Sequence, residues 1–192
     1  LDILPCTLES GQVATLSAGG IPVDRPNPSP GAGFTCFSTM PTPDDALLIG
    51  LNKAVPNCAV LLRIVCQVSG VGVDPTDPPY VWEAWTEPNG WLRCDVERDE
   101  TKAFNQPGDV ILHVPRGHTL GAPAPLSGTR RGWLRCRLLA PTAGQETYSE
   151  SPLINSVTAA TIGGTASIVH ARVVRDETIG VSDGTSAQRF TL

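Results

Sequence analysis

The sequence predicts an all-β protein, an antiparallel β-sandwich with a small appended β lobe. The 192 residues include 19 glycines and 18 prolines, which divide the chain into pieces too short for helices of more than two turns. Runs of alternating apolar and polar residues recur at spacings of about ten residues, as in sandwiches. The phrase Gly-Trp-Leu-Arg-Cys occurs twice, at 90–94 and 132–136, inside such runs.

The N-terminal half contains both a linker and strong strand patterns. Residues 1–4 are a possible edge strand, and the four prolines between residues 22 and 30 then predict a surface linker. Residues 46–51 form a short apolar strand. Residues 60–68 give the strongest strand pattern of the chain, because every second residue is apolar and the other face is also partly apolar. This pattern predicts a central strand.

The repeated phrase is predicted to form two strands of one sheet. Residues 80–85 form a strand before the first copy, and the turn at 87–90 brings Trp82 or Trp85 next to Trp91. Residues 110–114 add a further strand to the same sheet. Because side chains alternate along a strand, the following residues are expected to face inward: Leu92, Cys94, Val96, Leu134, Cys136 and Leu138.

The opposite phase of both copies places large aromatic and basic side chains outward. An indole exposed to water needs a partner, and two explanations are open. The tryptophans stack with arginines within the chain, or they are covered by a partner protein or ligand. The candidate interface residues are Trp85, Trp91, Arg93, Trp133 and Arg135.

The predicted domain organisation has three parts. Residues 1–33 form an N-terminal strand and a proline-rich linker. Residues 34–140 form the β-sandwich. Residues 141–192 contain a β-hairpin around Gly163 and Gly164 and lead to the rest of a longer parent protein, since the chain lacks an initiator Met. A hairpin of this size is not stable alone, so it must pack on the sandwich or continue into further sequence.

Composition restricts the classes of partner. A net charge of -5 with 14 scattered Lys and Arg argues against nucleic acid, which requires a basic face. No apolar run approaches 18 residues, so we expect no membrane span. The six cysteines allow three disulfides, but several lie in the apolar phase of strands, which favours buried thiols and a cytoplasmic protein.

No motif predicts a catalytic or metal site, so we expect no enzyme activity and no cofactor. Residues 180–184 match the Gly-x-Ser-x-Gly pattern, but no histidine follows Ser182 and no helical pattern does, which favours an ordinary turn. His113 and His118 have a spacing that fits neither a helical pair nor a zinc site. His170 has no carboxylate or cysteine near it in sequence. Asp95, Glu97 and Asp99 are clustered carboxylates, but Arg93 and Arg98 lie among them and would neutralise them across a strand.

Several motifs nevertheless occur together in a distinctive order. They are Leu-Leu-Ile-Gly-Leu at 47–51, Val-Gly-Val-Asp-Pro at 71–75, Pro-Pro-Tyr-Val-Trp-Glu-Ala-Trp at 78–85, Val-Glu-Arg-Asp-Glu-Thr at 96–101, Pro-Gly-Asp-Val-Ile-Leu-His-Val-Pro at 107–115, and the stretches 157–164, 176–185 and 188–192. In this order they resemble the baseplate assembly proteins of phage-tail-like contractile injection systems, a family similar to baseplate J-like wedge proteins. The resemblance covers residues 34–192.

The resemblance implies a structural role and no catalytic residue. Wedge subunits of that family join around a hub and contact other baseplate, sheath or spike proteins. We therefore expect an internal fragment of a wedge protein, monomeric in isolation and assembled in the cytoplasm into a phage-tail-like particle. The alternative function is a carbohydrate-binding β-sandwich module, in which Trp85, Trp91 and Trp133 present their indole faces to sugar rings.

Overall fold

The computed structural model describes residues 33–124, 126 and 130–164, together with the backbone of two short strands nearer the N-terminus. Within these ranges the regular structure is entirely β. The strands are β1 (Val13–Leu16), β2 (Val23–Arg25), β3 (Phe34–Thr35), β4 (Ala46–Leu51), β5 (Cys58–Gln67), β6 (Tyr80–Thr86), β7 (Gly90–Arg93), β8 (Asp95–Asp99), β9 (Gly108–His113), β10 (Leu120–Gly121), β11 (Arg131–Leu138) and β12 (Leu153–Gly164).

Two antiparallel sheets pack face to face. The first sheet has the strand order β2-β1-β4-β11-β6-β7, with β10 paired to β11. The second sheet has the order β3-β12-β5-β9-β8. The predicted all-β antiparallel sandwich is therefore confirmed. None of the segments that the structure describes forms a helix of the length and hydropathy that a bilayer crossing requires.

The core lies between the inner faces of the two sheets and follows the two-residue period of the strands. β5 contributes Val60, Leu62, Ile64 and Cys66, all buried, and it lies between β9 and β12 as a central strand. Val68 follows the end of β5 and is exposed, contrary to its predicted inward position. From the first sheet, the core takes the side chains of Leu47, Ile49, Leu51, Trp82, Ala84, Leu134, Cys136 and Leu138.

The second sheet extends beyond the predicted sandwich boundary at residue 140. β12 pairs with β5 along nearly its whole length, from Leu153 opposite Gln67 to Gly164 opposite Cys58. Its Ile154 and Val157 are fully buried in the core. This segment, expected in an appended lobe, is instead an integral strand of the sandwich. The second arm of the predicted hairpin, at 165–174, lies outside the described residues.

The region predicted as an N-terminal linker contributes two strands to the first sheet. β1 pairs with β4, with Val13 opposite Ile49, and β2 pairs with β1. The linker interpretation of residues 1–33 is wrong at these positions, since β1 precedes the run of four prolines and β2 lies within it. The predicted strand at 1–4 lies outside the described residues.

The two copies of the repeated phrase do not occupy equivalent positions. The second copy lies within β11, and its inward residues are buried as predicted. The first copy consists of β7, which ends at Arg93, and the buried Cys94. The chain then continues into β8 of the other sheet. Val96, predicted to face inward, is 46% exposed in β8, which is an edge strand of the second sheet. β9 also belongs to the second sheet, so the predicted single sheet is wrong.

The five described cysteines are free thiols, and four of them are buried. Burial raises the pKa of Cys66 and Cys94 to about 12 and holds the pKa of Cys36 and Cys136 well above its usual range. Since the thiolate is the nucleophile, native protein at pH 8 should react with iodoacetamide at half-exposed Cys58 well before these four. Mass mapping of timed samples checks this order, and guanidinium should abolish it. Reaction of Cys136 as fast as Cys58 would contradict the buried position.

Candidate functional site

The outer face of the first sheet gathers four of the five predicted interface residues. Pairing of β6 with β7 sets Trp85 opposite Trp91, and pairing of β11 with β6 sets Arg135 opposite Glu83. Trp133 packs with Leu48 of β4, and this pair contacts both other tryptophans. We call this surface the tryptophan face, and define it by Leu48, Glu83, Trp85, Trp91, Trp133 and Arg135.

Trp133 is the buried centre of the tryptophan face, with an exposed fraction of 7%. Its indole lies over Gly50, where an added Cβ would approach ring atom Cζ3 to 2.9 Å. Its Nε1 donates a hydrogen bond to the Gly121 carbonyl at 3.1 Å. The chain itself therefore covers this tryptophan, and Trp133 belongs to the packing of the fold rather than to an open contact surface.

Trp91 and Trp85 form the accessible part of the face. Their ring centroids are 5.5 Å apart with an interplanar angle of 69°, an edge-to-face arrangement. The guanidinium carbon of Arg135 lies 4.2 Å from the centroid of Trp91. This distance is that of a cation–π contact. The stacking explanation thus applies to Trp91, whereas Trp133 is covered by its own chain rather than by a partner protein or ligand.

Glu83 fixes the position of the stacked arginine. Arg135 Nε donates to Glu83 Oε2 at 2.6 Å, and Arg137 donates to both oxygens of the same carboxylate. Arg137 also reaches Asp44 Oδ1 at 2.9 Å. Burial acts to raise the pKa of Glu83, but the hydrogen bonds from Arg137 and Arg135 outweigh it, so this pKa lies below its ordinary value. Glu83 is therefore the anionic anchor of the face.

Arg93, the fifth predicted residue, lies at the margin of the face and is exposed. It is opposite Glu83 in the register of β6 and β7, yet the carboxylate is already engaged by Arg135 and Arg137. Within the described ranges Arg93 makes no ion pair. Glu83 and Leu48 are contributors that sequence reasoning missed, although Glu83 shares the outward phase of its strand with Trp85 and could have been found from that phase.

Comparison with protein-family models found no family that matches the chain, and comparison with curated proteins found no match. The geometry of the described residues therefore carries the functional argument, together with the order of sequence motifs.

The three tryptophans present little open indole face for a sugar ring. A platform for sugar rings presents open indole faces, whereas Trp133 is covered by its own chain and one face of Trp91 is occupied by Arg135. Trp85 meets Trp91 edge to face rather than in one plane. The arrangement offers little flat aromatic surface, and it gives the carbohydrate-binding interpretation less support than a protein contact.

Two of the histidines that the sequence singled out, His113 and His118, differ in environment. His113 is exposed, with Nε2 at 2.7 Å from Glu97 Oε2. His118 is buried, accepts a hydrogen bond from the Val55 N–H at Nδ1, and has its pKa lowered by burial to about 4. In the described ranges no three His, Cys, Asp or Glu side chains converge as a ligand set.

Of the remaining candidates from the sequence, some have other partners than predicted, and others lie outside the described residues. Among the acidic residues of β8, Glu97 pairs with His113 and Asp99 accepts a hydrogen bond from the Tyr80 hydroxyl. The predicted neutralisation of these two residues by neighbouring arginines is therefore not what the structure shows. Ser182 and His170 lie outside the described residues.

Glu83→Gln should reduce stability at neutral pH by about 1 to 2 kcal/mol, because two arginines lose a charged acceptor. A carboxylate whose pKa is lowered by folding adds stability above its unfolded pKa, near 4.5, and loses it as pH falls through the folded value. The free energy of unfolding should therefore fall less between pH 7 and pH 3 in Glu83→Gln than in wild type. Glu146→Gln, at an exposed site, is the matched control. Parallel pH profiles for wild type and Glu83→Gln would contradict the anchoring role.

Proposed function

We propose that this chain is a structural component of the baseplate of a phage-tail-like contractile injection system, and that it acts through protein contacts. The order of motifs between residues 47 and 115 supports the choice of family. The proposal assigns no catalytic residue and no cofactor. Its partners are other baseplate, sheath or spike proteins of the same particle, which would assemble in the cytoplasm.

The observation that carries a contact role is the composition of the tryptophan face. Tryptophan and arginine are enriched at the centres of protein interfaces, where each combines a large apolar area with fixed hydrogen-bonding geometry. Here Trp85 and Trp91 are half-buried and Arg135 is already oriented by Glu83. A partner binding at this place would therefore order few additional side chains, which lowers the entropic cost of association.

Co-sedimentation with intact particles tests the proposed role. An epitope-tagged chain, expressed in its native genomic context, should sediment with sheath and tube proteins through a density gradient and remain at a fixed ratio to the sheath. A tagged cytoplasmic enzyme from the same cells serves as the control for trapping. Particles that contain sheath and tube but no tagged chain would refute the proposal.

A further inference from the structure

β7 is an edge strand, and its outward backbone groups are arranged to accept another strand. Within the described residues it pairs only with β6. The Cys94 N–H donates to the Trp82 carbonyl at 2.8 Å, and hydrogen-bonded pairs alternate along an antiparallel ladder. Leu92 therefore bonds to β6, whereas the N–H and C=O groups of Trp91 and Arg93 point away from it. These are the groups that an added strand would bind.

The side chains of the same two residues lie on the tryptophan face. Side chains two residues apart share one face of a strand, so an extended segment beside β7 would place two of its own side chains against Trp91 and Arg93. Trp91 offers a half-buried apolar surface. Arg93 offers a cation that makes no ion pair with any described residue.

Arg135 adds a second positive charge at this place. Its Nε is bound to Glu83, but its two terminal nitrogens donate no hydrogen bond within the described part of the chain. Both oxygens of Glu83 already accept hydrogen bonds from Arg135 or Arg137, and Arg93 makes no ion pair with this carboxylate. The margin of the tryptophan face is thus locally basic on a chain whose net charge is -5. Charge complementarity selects an anionic partner.

The edge strand of the second sheet provides an internal contrast. β8 carries the acidic side chains of Asp95, Glu97 and Asp99, and a bulge interrupts its register between Val96 and Arg98. Charged residues and bulges at an edge are devices that prevent strand addition. β7 has a regular register with β6 from Gly90 to Arg93 and no bulge, and its one charged residue is the basic Arg93.

We propose that β7 binds an extended acidic segment of a neighbouring protein as an added antiparallel strand. A carboxylate of that segment lies against Arg93 and Arg135, and an apolar side chain two residues away packs on Trp91. The identity of the neighbour as a particle protein rests on the proposed baseplate role, whereas the recognition chemistry does not. A second copy of β7 is a poor occupant, since it would bring another Arg93 and no acidic side chain.

Peptide binding to the 192-residue chain tests this inference. The probe is a capped seven-residue peptide with threonine at the odd positions and valine, glutamate and valine at the even positions. Control peptides carry glutamine or lysine in place of glutamate. The acidic peptide should protect the backbone amides of Trp91 and Arg93 from hydrogen exchange, measured by NMR, and should bind at least about tenfold more tightly than the lysine peptide. Arg93→Glu should remove that preference, because the new carboxylate offsets Arg135.

Several outcomes would overturn the inference. They are an unchanged preference in Arg93→Glu, absence of protection at millimolar peptide, or self-association of the wild-type chain that Arg93→Glu abolishes. Displacement of the peptide by polygalacturonate, with no amide protection by the polysaccharide itself, would assign the surface to acidic sugars instead. Arg93→Gln, which should narrow the preference for the acidic peptide because only Arg135 remains, guards against a folding defect in the charge reversal.

The two proposals fail in distinguishable ways. A chain that sediments with sheath and tube but ignores the acidic peptide removes only the strand-addition inference. A chain that binds the peptide at β7 but is absent from particles retains the binding edge and loses the baseplate role.

Discussion

Trp133→Ala should lower the free energy of unfolding by about 3 to 5 kcal/mol, even though Trp133 lies on the outer face of its sheet. The indole is almost fully buried, fills the space above Gly50, and donates a hydrogen bond to the Gly121 carbonyl. Its removal leaves a cavity that cannot collapse, because the backbone beneath belongs to a sheet paired on both sides. It also leaves that carbonyl without its indole donor.

The matched control is the tryptophan of the other copy. Trp91→Ala should cost only about 1 kcal/mol, since Trp91 is half-buried and its main contacts are Arg135 and Trp85. Urea unfolding of both variants, followed by circular dichroism, gives the comparison. Equal costs for the two would mean that the structure assigns their burial wrongly.

Phe104→Ala should cost a similar amount, about 3 to 5 kcal/mol. Phe104 is 1% exposed and its ring contacts those of Phe37, Tyr80 and Trp82. It ends three successive residues in the left-handed conformation, which non-glycine residues rarely adopt. Burial of this ring compensates for the backbone strain, so its loss should also release the loop from the core.

Lys102 supplies the control within the same turn. It is exposed and also has a positive φ, of 50°. Lys102→Ala should change stability by less than about 0.5 kcal/mol, and Lys102→Gly should be neutral or stabilising, because glycine adopts this conformation without strain. A Phe104→Ala variant within about 1 kcal/mol of wild type would show that the ring does not anchor the loop.

The sequence was sufficient to predict those strands and turns that depend on local residue pattern alone. β5 has an apolar residue at every second position, and only a sheet position can bury that pattern. The turn between β6 and β7 was predicted from its proline, asparagine and glycine, and it does place Trp85 opposite Trp91. Local turn chemistry and a two-residue period carry this information without any knowledge of the tertiary structure.

The sequence could not predict which sheet each strand joins. The two copies of Gly-Trp-Leu-Arg-Cys have the same letters, but the first lies on an edge and continues into the other sheet after Cys94, whereas the second lies between β4 and β6. Burial of Trp133 and partial exposure of Trp91 follow from those positions, not from the repeated residues. The sequence analysis also overlooked Phe104. An aromatic residue in a polar loop indicates that the loop is anchored to the core, as the burial of this ring shows.

The candidate site was predicted in its members but not in its arrangement. The alternation of side chains along the strands predicted outward positions, and Trp85, Trp91 and Arg135 do lie together on one face. The anchoring by Glu83 depends on strand pairing, since Arg135 and Glu83 are 52 residues apart in sequence. Long-range pairing of this kind leaves no local pattern.

The central claim is that this face acts through protein contacts. Its most direct test measures how much of a folded variant with an altered β7 edge is incorporated into particles. Arg93→Glu and Trp91→Ala, introduced into the protein in its own particle, should leave the isolated chain folded, as judged by urea unfolding. Both should reduce its incorporation into sedimented particles relative to the exposed-site control Glu146→Gln. Full incorporation of both folded variants would contradict the account, because the contacts that join this chain to its neighbours would then lie elsewhere.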